Sequence, residues 1–264
     1  MEDVAKERAR ALTASVEEIA FLLHHPSTEV LRALLENPAL DEPHLCLLLE
    51  RKKLPGELLE EIAQRRAFLK SYRVKRALAF HPHTPRLVSM RLLRDLYLMD
   101  FVQLTLQPGV PVESKRLAEE QLLTRLAQLP LGQKITLARR GPARVAGALL
   151  AEGHAQVVGI VLDNPNMNEA QILHALSRVR LPPAVVAAIG RHRKWSLSYY
   201  VRVALVRHPA SVLATVLSFL PQLTVNDLKD LAAPGIVSEN LRKYLQAEVA
   251  RRLHDRQPEK TGSS

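Results

Sequence analysis

The chain holds one cysteine, Cys46, so an intrachain disulfide, a CxxC redox pair and a cysteine-ligated cluster are all excluded. Aromatic residues are only 4% of the sequence and glycines number ten. That balance is poor in strand formers and favours helix over twisted sheet. No run of eighteen apolar residues occurs, which argues against a membrane span, and the opening MEDVAKERARAL is amphipathic and acid-containing, unlike a leader. The expected location is therefore the cytoplasm. GxGxxG, GxxxxGK[ST], HExxH and GxSxG are also missing. The sequence thus supplies no recognised catalytic signature, and it implies neither cofactor nor metal.

What is present is Leu, Ala and Val in quantity, within a hydrophobic fraction of 47% over 264 residues, enough to bury a substantial core. Seventeen prolines accompany them. In a helical chain they belong at first turns or just beyond helix ends, so their number implies many short helices. The net charge of +10 favours acidic partners: nucleic acid, anionic membrane surface or acidic protein. Cys46 lies in the apolar run LCLLL and reads as a small core residue.

The chain also repeats itself. Residues 36–82 align without gaps on 163–209, with sixteen identities in 47 positions, among them Asn37, Pro38, Leu54, Pro55, Ser71, Tyr72, Val74, His81 and Pro82. Similarity extends outward at the same offset of 127, from 21–38 onto 148–165, and downstream the glycines of PGV and PGI stand 126 apart. The expectation is an all-α fold, an α-solenoid of about 16–18 short helices built from two tandem similar halves. It forms one continuous array over 1–254, with halves 16–128 and 143–254 joined by a helix around 131–140. Residues 255–264, DRQPEKTGSS, read as a disordered tail.

Punctuation supports this reading. Ser15 and Glu18 have the form of a capping box. Ser27, Asp41, Thr84, Asn168 and Thr224 precede apolar-periodic runs as N-cap candidates, and Pro55, Pro85 and Pro182 fit first turns. Helices of about nine to twelve residues follow from that spacing, with a longer one closing each half near 111–128 and 237–254.

LLENP at 34–38, ALAFHPHTP at 77–85, VLDNP at 161–165 and ALVRHP at 204–209 resemble the HEAT-like α-solenoids, particularly the leucine-rich-repeat-variant style, in which an apolar helix runs into Asn-Pro or His-Pro. The resemblance implies a stacked helical array with one curved face open to a partner, and no particular reaction. Some members of that style carry a cysteine-ligated iron–sulfur module, which Cys46 alone cannot hold.

His25, His81 and His208, each before proline, read as helix-end residues stopped by the proline, in preference to metal ligands. Tyr72 and Tyr199, with Phe68 and Trp195, read as packing residues at matched helix starts, although Trp195 follows the basic run Arg191 to Lys194. Cations are the main functional hint. Arg51, Lys53, Arg66 and Lys75 recur as Arg178, Arg180, Arg193 and Arg202. They complement helix C-termini, or, if they converge with Trp195 on one face, they contact phosphate or another anionic partner. Function is accordingly expected to be non-enzymatic: a helical-repeat scaffold that binds a macromolecular partner, protein first. The alternative is nucleic-acid binding on a basic concave face, with DNA-glycosylase-like repair as its catalytic extension.

Overall fold

The computed structural model describes residues 2–255, and over them the chain is helical, with no strand. It divides into two compact units, residues 1–124 and 125–264. The first contains α1 (Glu2–Thr13), α2 (Val16–Leu22), α3 (Thr28–Leu35), α4 (Glu42–Leu49), α5 (Gly56–Gln64), α6 (Tyr72–Phe80), α7 (Arg86–Leu92) and α8 (Leu98–Leu106), and α9 (Val112–Leu126) carries the chain past the division. In the second are α10 (Leu131–Arg140), α11 (Ala143–Glu152), α12 (Ala155–Leu162), α13 (Glu169–Leu176), α14 (Pro183–Arg191), α15 (Tyr199–Arg207), α16 (Leu213–Phe219), α17 (Val225–Leu231) and α18 (Glu239–Asp255). Eight of the eighteen have the nine to twelve residues expected and α9 and α18 are the longer ones, while eight are shorter because the stop signals act before a third turn is complete. Of the tail read at 255–264, Asp255 closes α18 and residues 256–264 lie outside the described chain.

Local chemistry sets most helix starts. Ser15 and Glu18 form the reciprocal capping box, and Asp41, Asn168 and Thr224 each accept the N–H three residues on. Two expected caps take other roles. The Ser27 side chain makes no cap bond; its own N–H goes to His25 Nδ1 at 3.0 Å. Thr84 turns backwards and donates to the Leu78 carbonyl at 2.6 Å, satisfying the end of α6 and leaving Pro85 as the N-cap of α7. Pro55 and Pro182 also stand at N-caps, one residue before the helices they begin.

Within each unit, alternate helices pack together. In the first, α1 packs on α3 and α3 on α5, while α4 packs on α6. In the second, α10 packs on α12 and α12 on α14, while α11, α13, α15 and α17 form a second row. Helix α10, expected as a joint between halves, thus belongs to the packing of the second unit. Fully buried Leu34, Leu48, Leu58, Ile62 and Leu78 fill one core, and Val145, Leu149, Val161, Ile172, Ile189 and Leu205 the other. Each such side chain stabilises its unit by about 1.5–3 kcal/mol relative to exposure.

A second device holds the rows. The last carbonyls of a helix have no partner within it, and here a side chain from the end of the helix two further along donates to them. Asn37, after α3, donates to Ala11 O at 2.9 Å and Ala14 O at 3.0 Å. Arg51, after α4, serves Leu23 O and His25 O; Arg65, after α5, serves Leu35 O; and His81, after α6, serves Arg51 O. In the second unit Asn164 donates to Ala138 O and Gly141 O, Trp195 to Leu162 O, and His208 to Arg178 O. Two of these reappear 127 residues on with the same acceptors shifted equally, Asn37 as Asn164 and His81 as His208, and so does a side-chain pair, Tyr72 donating to Asp100 and Tyr199 to Asp227.

The histidines are more specific than helix-end cations. His81 Nδ1 accepts the His83 N–H, so its Nε2 must carry the proton that goes to Arg51 O. Burial holds its pKa below the ordinary histidine value, in keeping with a neutral ring.

Candidate functional site

Each unit has a groove over the same pair of rows, between α4 and α6 in the first and between α13 and α15 in the second. The first has a volume of about 520 Å³ and the second about 460 Å³. All ten residues lining the second stand 127 positions after ten of the thirteen lining the first. Helix periodicity explains the face presented: Arg73, Arg76, Ala77 and Phe80 lie at i, i+3, i+4 and i+7 of α6, and Tyr200, Val203, Ala204 and Arg207 do the same on α15. His81-Pro82 and His208-Pro209 close the far ends, so the histidine staple also fixes the groove lip.

The lining positions correspond, while six of the ten side chains differ. Cys46, Lys52, Arg73 and Arg76 in the first groove become Leu173, Val179, Tyr200 and Val203 in the second, and Glu50 becomes Ser177. In the first groove the cations have acidic neighbours. Arg76 Nε donates to Asp100 Oδ1 at 2.7 Å, its guanidinium lies 4.7 Å from the centre of the Phe80 ring, and Arg73 is 3.7 Å from Glu42. Asp100 also accepts from the Tyr72 hydroxyl, whose oxygen receives the Tyr97 N–H at 3.0 Å. Burial, with the hydrogen bond to Asp100 second, pushes the Tyr72 phenol up to about 12.

The second unit rewires this network. Asp227 accepts from Tyr199 and from Thr224, and those two bonds hold its carboxyl below the usual range. Thr224 occupies the position of Tyr97, which has no hydroxyl near enough to cap its helix, and Thr224 instead supplies the N-cap of α17. Position 203 is valine, so the arginine that bonds Asp100 has no counterpart here, and Arg207 of the groove acts on Asp227 only through space. No residue lining the second groove is acidic.

That groove continues into a neighbouring cavity of about 680 Å³ across a shared lip of Val179, Arg207, His208 and Pro209. Leu213 and Ile236 line the extension. Val179, Tyr200 and Leu213 are 73%, 65% and 48% exposed, and their counterparts 127 residues earlier are Lys52, Arg73 and Arg86, all exposed cations. Large apolar side chains therefore stand in solvent where the matching positions carry charge.

The cations singled out in the sequence are placed otherwise. Arg51 is committed to the end of α2, and Lys75 pairs with Asp95 at 2.6 Å. Lys75 sits about 200° round α6 from Arg73, on the side away from the groove. Arg202 likewise turns from its groove and donates to Ser196 O at 2.6 Å, 5.9 Å from the Phe219 ring centre. Trp195 is buried, with its indole N–H on Leu162 O at 2.9 Å and Lys194 over its ring. Lys53, Arg66, Arg178, Arg180 and Arg193 are exposed, and of these Arg178 and Arg180 flank Val179 at the groove lip. The groove residues Lys52, Arg73, Arg76, Val179, Tyr200 and Val203 were not among the expected sites, which followed what recurs between the aligned segments. Their signal was the reverse, cations of one segment that are replaced in the other.

Among the described residues no group of three or more His, Cys, Asp or Glu side chains could hold a metal, and no helix is long and apolar enough to cross a membrane. No family model matches the chain, and no curated protein or solved structure matches it.

Proposed function

We propose that the chain is a HEAT-like helical-repeat scaffold whose two units are copies from a tandem duplication, and that it binds protein partners through the groove over alternate helices of each unit. One observation carries this reading: ten lining positions coincide at an offset of 127, beside the same asparagine, histidine and tyrosine bonds, while six of their side chains have diverged. Leu49, Ala77, His81 and Pro82 recur as Leu176, Ala204, His208 and Pro209, and the six that differ change the charge and polarity of the lining. A frame that keeps a groove and varies part of its lining suits a binding protein. Grooves lined by apolar and mixed polar side chains suit peptide or protein surfaces better than the continuous basic stripe that phosphate tracking needs, because the cations of the first groove already face Glu42 and Asp100.

The test has two arms. A photo-crosslinking amino acid placed at position 73 or 179 of the full chain in its native cells should give adducts that survive nuclease and disappear on protease treatment. In parallel, labelled duplex and single-stranded DNA and RNA are titrated at several salt concentrations. Binding that weakens steeply with salt and vanishes in Lys52→Glu/Arg73→Glu would overturn the protein-binding reading in favour of nucleic acid.

A further inference from the structure

We infer that the groove of the second unit takes an amphipathic segment whose apolar side chains are interspersed with Asp and Glu; this rests on the scaffold reading above. The floor supplies the apolar half of the argument. Val179, Tyr200 and Leu213 project into solvent around Leu173, Leu176 and Val203, and the two connected cavities have volumes of about 460 and 680 Å³. Exposed apolar residues scattered singly mean little, but a contiguous set bordering a cavity marks an interaction site.

The copy in the first unit acts as an internal reference. At the same three exposed positions it has Lys52, Arg73 and Arg86, so solvent exposure in this frame is compatible with charge, and the apolar choice in the second unit is not imposed by packing.

Charge complementarity selects the partner. Arg207 is exposed and stands on the lip shared by both cavities, and no other charged residue lines either of them. Neither cavity has an acidic residue in its lining. Glu239, between the lining residues Ser238 and Asn240, is paired with Arg242 at 2.8 Å, and Asp227, within electrostatic reach of Arg207, is engaged by the Thr224 and Tyr199 hydroxyls. A segment bearing carboxylates beside its apolar anchors would meet this lip with attraction, whereas a basic segment would meet repulsion from Arg207. An amphipathic helix with anchors at i, i+3, i+4 and i+7 matches a groove laid along helix rows.

The experiment pans a display library of short random peptides against the full-length chain, with counter-selection on a Val179→Glu/Tyr200→Glu variant. Enriched peptides should combine helically spaced apolar residues with an excess of Asp and Glu. Their affinity should fall at least about tenfold on the counter-selection variant and on Arg207→Glu, and be unchanged on Lys52→Glu/Arg73→Glu. All substituted positions are exposed, and unchanged circular dichroism melts verify folding. Peptides with net positive charge, or no peptide that discriminates the variants, would overturn the inference. Peptides lost only on Lys52→Glu/Arg73→Glu would also overturn it while leaving the scaffold reading standing, whereas nuclease-sensitive crosslinks from both grooves would remove both.

Discussion

Replacing Asn164 by Asp changes one NH₂ group to oxygen in a side chain that is only 2% exposed. The amide donates to Ala138 O at 2.8 Å and Gly141 O at 3.2 Å, while its oxygen accepts the Asn166 N–H at 2.7 Å. An ionised Asp keeps the last bond and turns the first two into oxygen–oxygen contacts, with no cation in reach among its hydrogen-bond partners. Two lost bonds at about 0.5–1.5 kcal/mol each, together with an uncompensated buried charge, give a loss of about 3–5 kcal/mol at neutral pH. At acid pH the carboxyl regains one donor, and the loss should shrink to about 1–2 kcal/mol. The sign follows from linkage. The folded variant's carboxyl is raised above its ordinary value of about 3.9, so its handicap is least below that value and grows as pH rises until the folded group ionises. Urea unfolding followed by circular dichroism should show a midpoint lower by about 1 M at neutral pH, with the gap narrowing near pH 4. Hydrogen exchange in α10 and α13 would assign the loss to the second unit. A deficit under about 1 kcal/mol at neutral pH, or one that widens with acid, would refute the stapling argument.

Three further outcomes follow from geometry. The neutral His81 ring contributes stability that is complete above the ordinary histidine pKa and is lost as pH falls below it, because the folded value is depressed by burial; His81→Gln, with donor and acceptor but no titrating ring, should flatten the urea-midpoint slope between about pH 5 and 7. Gly153→Ala should cost about 2–4 kcal/mol, since φ is +73° and the new Cβ would lie 2.7 Å from Pro182 Cγ; Gly109→Ala, at φ +85° with open space around it, should cost only about 1–2 kcal/mol in thermal melts. Tyr72→Phe should destabilise by about 1–3 kcal/mol and remove from the near-ultraviolet titration the one phenol that ionises at about 12; in the parent, its stabilisation is complete below the ordinary tyrosine value and fades as pH rises towards 12.

Helix starts were legible in the sequence because capping acts over three or four residues: Ser15 with Glu18, Asp41 and Asn168 need no distant partner. Helix ends were less so. Asn37 and His81 could be read as stops, but their acceptors lie 23–30 residues away, and only the packing of alternate helices brings donor and carbonyl together. Thr84 illustrates the same limit, since its hydroxyl can cap forwards or backwards and the local sequence does not decide. The recurring cations misled for a related reason: Arg51 is held by the carbonyls at the end of α2 while its counterpart Arg178 is exposed, so recurrence marked no shared surface, and the groove chemistry changes from Arg73 to Tyr200 and from Lys52 to Val179.

The staples also have a direction. Wherever a side chain bonds to main chain across the helix rows, from Asn37 on Ala11 to Arg252 on Leu220, the donor comes later in the chain. A unit built this way is asymmetric under trimming. Removing a helix from its leading end strands donors that water can satisfy, whereas removing one from its trailing end uncovers carbonyls two helices upstream and loosens a helix that was itself untouched. Lengthening is correspondingly easiest at the trailing end, where each added helix brings the donor that completes an earlier one and defers its own unmet carbonyls to the next.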